Sequence, residues 1–145
     1  AVTRLSRVGF DIVLGHLAGG FAAWMQAGTE VDTVHRITAD EFAAKFDKAN
    51  SVVVDVRKES EYAAEHVEDA YSKPLAYINQ WVRDLDPKQH FFLHCAGGYR
   101  SMIAASILQA RGYRNFSEVE GGFGAISKTE VPKTDFVCQS KVMKA

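Results

Sequence analysis

The sequence predicts an α/β fold, an open five-stranded parallel sheet with helices on both faces. Three observations carry this. From Val34 onward, short apolar or β-branched runs alternate with segments of helical periodicity. The run Ser51 to Val56 is β-branched and nearly unbroken, as in a strand buried on both faces of a parallel sheet. A chain of 145 residues with 47% hydrophobic content can bury one substantial core, and hardly two.

The elements follow in order. Val34 to Ile37 is a brief strand. Thr38 starts a helix through Phe46, with Glu41 three residues on completing a capping box. Ser51 to Val56 is the second strand, and Glu59 to Glu65 a short helix. Tyr71 to Leu75 reads as a weak edge strand, because Pro74 has no N–H for a ladder. Ala76 to Leu85 reads as a helix with Ile78, Trp81, Val82 and Leu85 on one face, closed by Asp86-Pro87. Gln89 to Leu93 leads as a strand into Cys95. Met102 to Arg111 has helical spacing and stops at Gly112. Phe116 to Val119 is the last strand, followed by Gly121-Gly122 and a short helix to Lys128.

The chemistry gathers in His94-Cys95-Ala96-Gly97-Gly98-Tyr99-Arg100-Ser101. Here a cysteine ends a strand, a glycine-containing loop follows, and a helix begins at the arginine. Ligands in open α/β sheets bind beyond the carboxyl ends of the strands, which is where Cys95 falls. A free cysteine titrates near ~8.5, so only about 3% is thiolate at pH 7. Lowering that by two units takes about 2.7 kcal/mol of preference for the anion. A helix N-terminus supplies up to ~2 kcal/mol, and inward-facing loop amides supply the rest. Gly97 and Gly98 leave such a cradle free of side chains. Arg100 adds a fixed positive charge.

Elsewhere the residues speak less directly. Arg57, just past the second strand, either lines the same mouth and binds anions or anchors Asp55 or Glu59. Asp55 and His66 read as structural. Alternation along the strand turns the His94 ring away from Cys95. Tyr99 sits at the loop rim. Cys138 reads as an incidental residue of the polar tail, with a resolving role as the alternative.

Composition excludes several classes. A net charge of -1 gives no footprint for nucleic acid or an anionic membrane. Two cysteines are too few for a disulfide scaffold. The sequence shows no secretion signal and no long apolar run, so a cytoplasmic setting is expected. No histidine or cysteine pair has metal-ligand spacing, and neither metal nor cofactor is expected.

One internal repeat stands out. Leu17-Ala18-Gly19-Gly20-Phe21-Ala22-Ala23-Trp24 echoes Val119-Glu120-Gly121-Gly122-Phe123-Gly124-Ala125-Ile126, and Gly9-Phe10 upstream matches Gly112-Tyr113. The expected organisation is therefore a remnant of a related upstream unit plus linker at 1–33, the complete domain at 34–132, and a tail at 133–145. With alanine at position 1, the chain is expected to be a fragment of something longer.

These motifs together resemble the rhodanese-like (single-domain sulfurtransferase) family. The likeness runs from about Arg36 to Ile126. It comprises Val54-Asp55-Val56-Arg57 with Glu59 and Tyr62, Glu65-His66-Val67-Glu68-Asp69-Ala70 with Pro74-Leu75, the Cys95 loop, and Glu120-Gly121-Gly122-Phe123. The loop also looks like that of bacterial proteins joining a metallo-β-lactamase-fold persulfide dioxygenase to rhodanese domains, some with two rhodanese-like units in tandem. The resemblance implies the rhodanese-like version of the fold, a nucleophilic Cys95 and a binding loop of Ala96, Gly97, Gly98, Tyr99, Arg100 and Ser101. It implies a small anionic sulfur donor, a thiol or cyanide acceptor, and a persulfide-handling domain as partner.

The same loop is similar to the His-Cys-x5-Arg signature of cysteine-dependent phosphatases, but has four residues between Cys95 and Arg100. One residue fewer removes up to ~3.5 Å of perimeter, or about 0.6 Å of radius in a circular loop. A phosphoryl group is crowded there, whereas a single sulfur fits. Departing alkoxides also want a general acid, and the loop offers only Ala, Gly, Gly and Tyr. Sulfur transfer is thus expected, with a phosphatase or arsenate reductase, and a non-catalytic interaction module, as alternatives.

Overall fold

The structure, a computed structural model, describes residues 12–138. Gly9-Phe10 of the internal repeat and residues 139–145 of the expected tail lie outside the described residues. The chain divides into two units between Thr33 and Val34.

The first unit carries helix α1 (Gly20–Gln26). Its entry geometry is that of the second copy of the repeat. Gly19 and Gly20 have φ of 79° and 57°, and Gly121 and Gly122 have 75° and 54°. A Cβ on Gly19 would lie 2.9 Å from the Ala23 Cβ, and one on Gly121 would lie 2.8 Å from the Ala125 Cβ. The echo in sequence is thus an echo in backbone, because both turns need the left-handed region glycine alone enters cheaply.

The second unit is built on strands β1 (Arg36–Ile37), β2 (Val52–Asp55), β3 (Tyr71–Ser72), β4 (Phe91–His94) and β5 (Phe116–Val119). All pair in parallel, in the order β1-β5-β4-β2-β3. Between them lie α2 (Ala39–Lys45), α3 (Glu59–Ala64), α4 (Ile78–Trp81) and α5 (Tyr99–Ala110), and α6 (Gly122–Ile126) closes the set. The fold is the open five-stranded parallel α/β sheet that the sequence predicts. Thr38 caps α2 with its hydroxyl and Glu41 returns the bond to the Thr38 N–H, completing the capping box.

Alternation along the strands divides the core. Val54, Phe91, Leu93, Cys95 and Phe116 face one cluster with Trp81, Ala104, Ala105 and Leu108. Val53, Phe92 and Val119 face the other with Phe42, Phe123 and Ile126. Cys95 and the residue before it therefore belong to opposite faces.

One segment differs from expectation, and two others are held by bonds that the sequence does not show. Residues 76–85 do not form one helix: α4 is flanked by 3-10 turns at Leu75–Tyr77 and Val82–Asp84. The apolar spacing did not discriminate, since residues three apart share a face in both helix types. The Trp81 indole N–H donates to the Pro74 carbonyl at 2.8 Å, tying this turn back to the edge strand. That edge is viable despite Pro74, because Lys73 and Leu75 donate to the Asp55 and Val56 carbonyls on either side of it. Finally, the segment after Pro132 is tied to the domain: Thr134 donates to the His66 carbonyl and Val137 to that of Ala64.

Candidate active site

The site stands at the carboxyl end of β4, the central strand. Cys95 is buried at its tip, with 1% of its surface exposed. The loop 96–98 then turns through Gly98 at φ 104° into α5. A side chain at Gly98 would be strained by that φ, so the second glycine of the loop is the one the turn requires.

The backbone N–H of Gly98 donates to the Cys95 Sγ at 3.1 Å. The N–H groups of Gly97 and Ser101 also serve the sulfur, and the Ser101 hydroxyl stands 3.4 Å from it. Burial pushes the thiol up; hydrogen bonding at Ser101, Gly97 and Gly98 pulls it down, and the net result lies below the ordinary cysteine value. The cradle therefore favours the thiolate more than water does.

The loop is clamped from behind by α6. Phe123 N–H donates to the Cys95 carbonyl at 2.6 Å and Gly124 N–H to the Ala96 carbonyl at 3.0 Å. With those carbonyls held outward, the following N–H groups are free to turn inward. Gly122 makes the approach possible, since a Cβ there would stand 2.3 Å from the Cys95 carbonyl oxygen. In the sequence, Gly121-Gly122-Phe123 shows only as a repeat and a family motif, with no mark of the clamp.

Arg100 leaves the loop and forks onto Glu61 of α3, with N–O distances of 2.6 and 2.8 Å. Its charge still reaches the sulfur through space. The Arg100 guanidinium holds the Glu61 carboxyl at about 2. Sequence reasoning missed Glu61, which stands 39 residues away in the chain. Tyr99 is largely exposed at the first position of α5.

Arg57 is buried just past the end of β2. It donates to Asp55 at 2.7 to 3.0 Å, to the Glu65 carbonyl at 2.7 Å, and lies 4.1 Å over the Phe123 ring. Of the two roles open to it, the geometry is that of an anchor for Asp55. Asp55 is wholly buried and also accepts from the Arg57 backbone N–H. His94 points to the opposite face, stacked on Phe123, with Nδ1 against the Cys95 carbonyl at 3.2 Å. Its Nε2 is buried without a hydrogen-bond partner, and burial pushes its pKa down. His66 stacks on Tyr62 and bonds its carbonyl at 2.7 Å. Cys138 is exposed near the end of the described chain.

Behind the sulfur lies a polar pair that the sequence did not reveal. Glu118 of β5 is fully buried, accepts from the Ser101 hydroxyl at 2.6 Å, and is bound by Arg36 Nε at 2.8 Å. Among the described residues, no three His, Cys, Asp or Glu side chains gather as a metal site, and no helix is long and apolar enough to cross a membrane. A cavity of about 240 Å³ lined by Val52, Lys73, Asp84 and Phe91 opens at the amino ends of β2 and β4, the end of the sheet opposite Cys95.

Comparison with known proteins agrees with this architecture. The family model for the rhodanese-like domain matches residues 38–129. A crystal structure of a rhodanese-like domain protein from Staphylococcus aureus is 30% identical, with a TM-score of 0.60, covering 64% of this chain and 91% of that one. An uncharacterized protein of Synechocystis is 32% identical over 81 residues, 56% of this chain and 45% of that protein. The tRNA uridine(34) hydroxylase of Yersinia enterocolitica is 30% identical over 94 residues, 61% of this chain and 27% of the enzyme. The chain thus spans less than half the length of these two curated relatives.

Proposed function

Because this chain belongs to the rhodanese-like domain family, we propose that it is a sulfurtransferase that moves sulfane sulfur through a persulfide on Cys95. The observation that carries the reading is the Gly98 N–H donating at 3.1 Å to a buried sulfur whose pKa hydrogen bonding at Ser101, Gly97 and Gly98 draws down. That arrangement favours a thiolate and can hold one further sulfur atom.

The reaction is a double displacement by covalent catalysis. The Cys95 thiolate attacks the sulfane sulfur of thiosulfate or of a glutathione persulfide. A new S–S bond forms to Sγ as the donor's own bond to that sulfur breaks, and sulfite or glutathione thiolate departs with the electron pair. An acceptor thiolate or cyanide then attacks the outer sulfur, and Cys95 leaves as the thiolate it began as. No proton has to be delivered, because each leaving group is a stable anion. This suits the site, where Asp55 and Glu61 are committed to Arg57 and Arg100. The same feature counts against phosphomonoester hydrolysis, which wants a free general acid.

In this reading Arg100 draws the anionic donor to the mouth while paired with Glu61, and Arg57 serves the frame beneath the loop. The repeat supports a wider organisation, with residues 1–33 as the remnant of an upstream rhodanese-like unit plus linker in a longer persulfide-handling protein; a cytoplasmic setting belongs to the same proposal. Incubation with a persulfide donor should add 32 Da to Cys95, and Cys95→Ser should abolish transfer from thiosulfate to cyanide. Turnover retained by the serine variant, or hydrolysis of an aryl phosphate in place of sulfur transfer, would sink the assignment.

A further inference from the structure

Ser101 carries one hydroxyl proton and has three acceptors around it. Glu118 Oε1 stands at 2.6 Å, the Gly98 carbonyl at 3.0 Å and the Cys95 Sγ at 3.4 Å. A proton goes to the closest and most basic oxygen, and a carboxylate at 2.6 Å is in the range of strong charge-assisted bonds. Glu118 is itself immobile: wholly buried on β5, with its other oxygen bound by Arg36 Nε at 2.8 Å. Arg36 in turn reaches Glu120 at 3.2 Å. The pair lies directly behind the loop, since a Cβ on Gly98 would meet Glu118 Oε1 at 3.8 Å and an Arg36 nitrogen at 3.9 Å.

We propose that Glu118, anchored by Arg36, is a positioning residue that claims the Ser101 hydroxyl proton and leaves the Cys95 sulfur to backbone N–H groups alone. The consequence bears on the sulfur transfer proposed above. A thiolate with fewer donors is more basic, and sulfur nucleophilicity rises with basicity, with a Brønsted slope of about 0.4–0.5. Glu118 therefore trades some thiolate population for reactivity of each thiolate. The other charged or titratable groups around Cys95 are Asp55 and Arg57 after β2, Glu61 on α3, His94 on β4 and Arg100 on α5. Each is engaged with a partner other than the Ser101 hydroxyl.

The substitution Glu118→Gln tests this through a constraint that Arg36 imposes. Arg36 is a donor only, so the new amide must turn its carbonyl oxygen to Arg36 and its NH2 to Ser101. The hydroxyl then accepts where it used to donate, and its proton turns to the thiolate, whose charge makes it a stronger acceptor than the neutral Gly98 carbonyl at 3.0 Å. In a Cys138→Ser background Cys95 is the sole thiol, and iodoacetamide alkylation followed across pH reads its titration. Glu118→Gln should move the alkylation midpoint down by roughly one pH unit. The rate well below the midpoint should then rise about threefold, a tenfold gain in thiolate offset by its lower nucleophilicity. Ser101→Ala by itself should leave the midpoint within about 0.3 units, because the proton it removes was not on the sulfur. In the Ser101→Ala background, the Glu118→Gln shift should shrink to less than half.

A midpoint raised by a unit in Ser101→Ala would show the hydroxyl donating to sulfur, and would overturn the proposal even if Glu118→Gln failed to fold. An unchanged midpoint in folded Glu118→Gln, or an equal shift in both backgrounds, would also overturn it. Alkylation does not depend on sulfur transfer. Shifts as described in a protein that transfers no sulfur would refute the proposed function and leave this positioning role standing.

Discussion

Replacing Gly122 with alanine should dismantle the site while leaving the sheet intact. The added Cβ would lie 2.3 Å from the Cys95 carbonyl oxygen and 2.9 Å from the Ala96 carbonyl carbon, against an ordinary contact of 3.4 Å or more. The obstructing atoms are backbone, so no side-chain rotation relieves them. The loop and α6 must part by about 1 Å, which breaks the 2.6 Å bond from Phe123 N–H to the Cys95 carbonyl. Forcing an alanine to φ 54° costs about 1–2 kcal/mol. The lost hydrogen bond adds roughly 0.5–1.5 kcal/mol. A stability loss of about 1.5–3.5 kcal/mol is thus expected from these two sources, measurable by urea denaturation. Displacing catalytic donors by about 1 Å can lower a rate on the order of 100-fold, so thiosulfate:cyanide transfer should fall by about that factor in protein that remains folded.

The repeat supplies its own control. Gly20 occupies the matching turn at φ 57°, but a Cβ there has nothing within 4 Å. Gly20→Ala should therefore bear only the conformational cost of about 1–2 kcal/mol, confined to α1, with transfer activity unchanged. Equal activity in Gly122→Ala and Gly20→Ala would refute the clamp. So would a Gly122→Ala protein whose stability matches the parent.

Three further outcomes follow from the charges. Glu61→Gln frees Arg100 from its carboxylate, so KM for thiosulfate should fall about threefold with little change in kcat, and stability should fall by about 0.5–1 kcal/mol for a pair this exposed; a raised KM contradicts the steering role. The Glu61 carboxyl sits at about 2 in the fold against 4.5 ordinarily, so its contribution is complete above about pH 4.5 and lost as pH falls toward 2. The acid limb of a denaturation profile should flatten in that window in Glu61→Gln. His94 is pushed down by burial, so the fold binds its proton less readily than the unfolded chain, which takes it up below about pH 6.5. Stability should therefore drop on acidification from pH 7.5 to 5.5, and His94→Gln should remove that slope; a slope that persists unchanged places the titration elsewhere.

The parts of this molecule that the sequence discloses are those set by local rules. The Thr38 and Glu41 cap, the β-branched run into Asp55 and the glycine loop after Cys95 each depend on neighbours within a few residues, so pattern suffices. Alternation alone also separated His94 from Cys95. What stayed hidden depends on partners brought together by the sheet order. Glu61 meets Arg100 across 39 residues and Glu118 meets Ser101 across 17. Neither carboxylate carries a local mark, because a glutamate in a helix or strand reads as a solvated charge until the topology buries it. Arg57 shows the limit from the other side: its position past β2 suits either the mouth or the frame, and only burial against Asp55 and Phe123 separates them.

The Gly-Gly-Phe repeat joins the two kinds of information. Sequence similarity predicts the shared turn, and the backbone angles agree within a few degrees. What similarity does not tell is that the second glycine is needed for φ at Gly20 and for both φ and contact at Gly122. The same two letters are a conformational requirement in one place and a support for the Cys95 loop in the other. The difference is the loop that Gly122 touches.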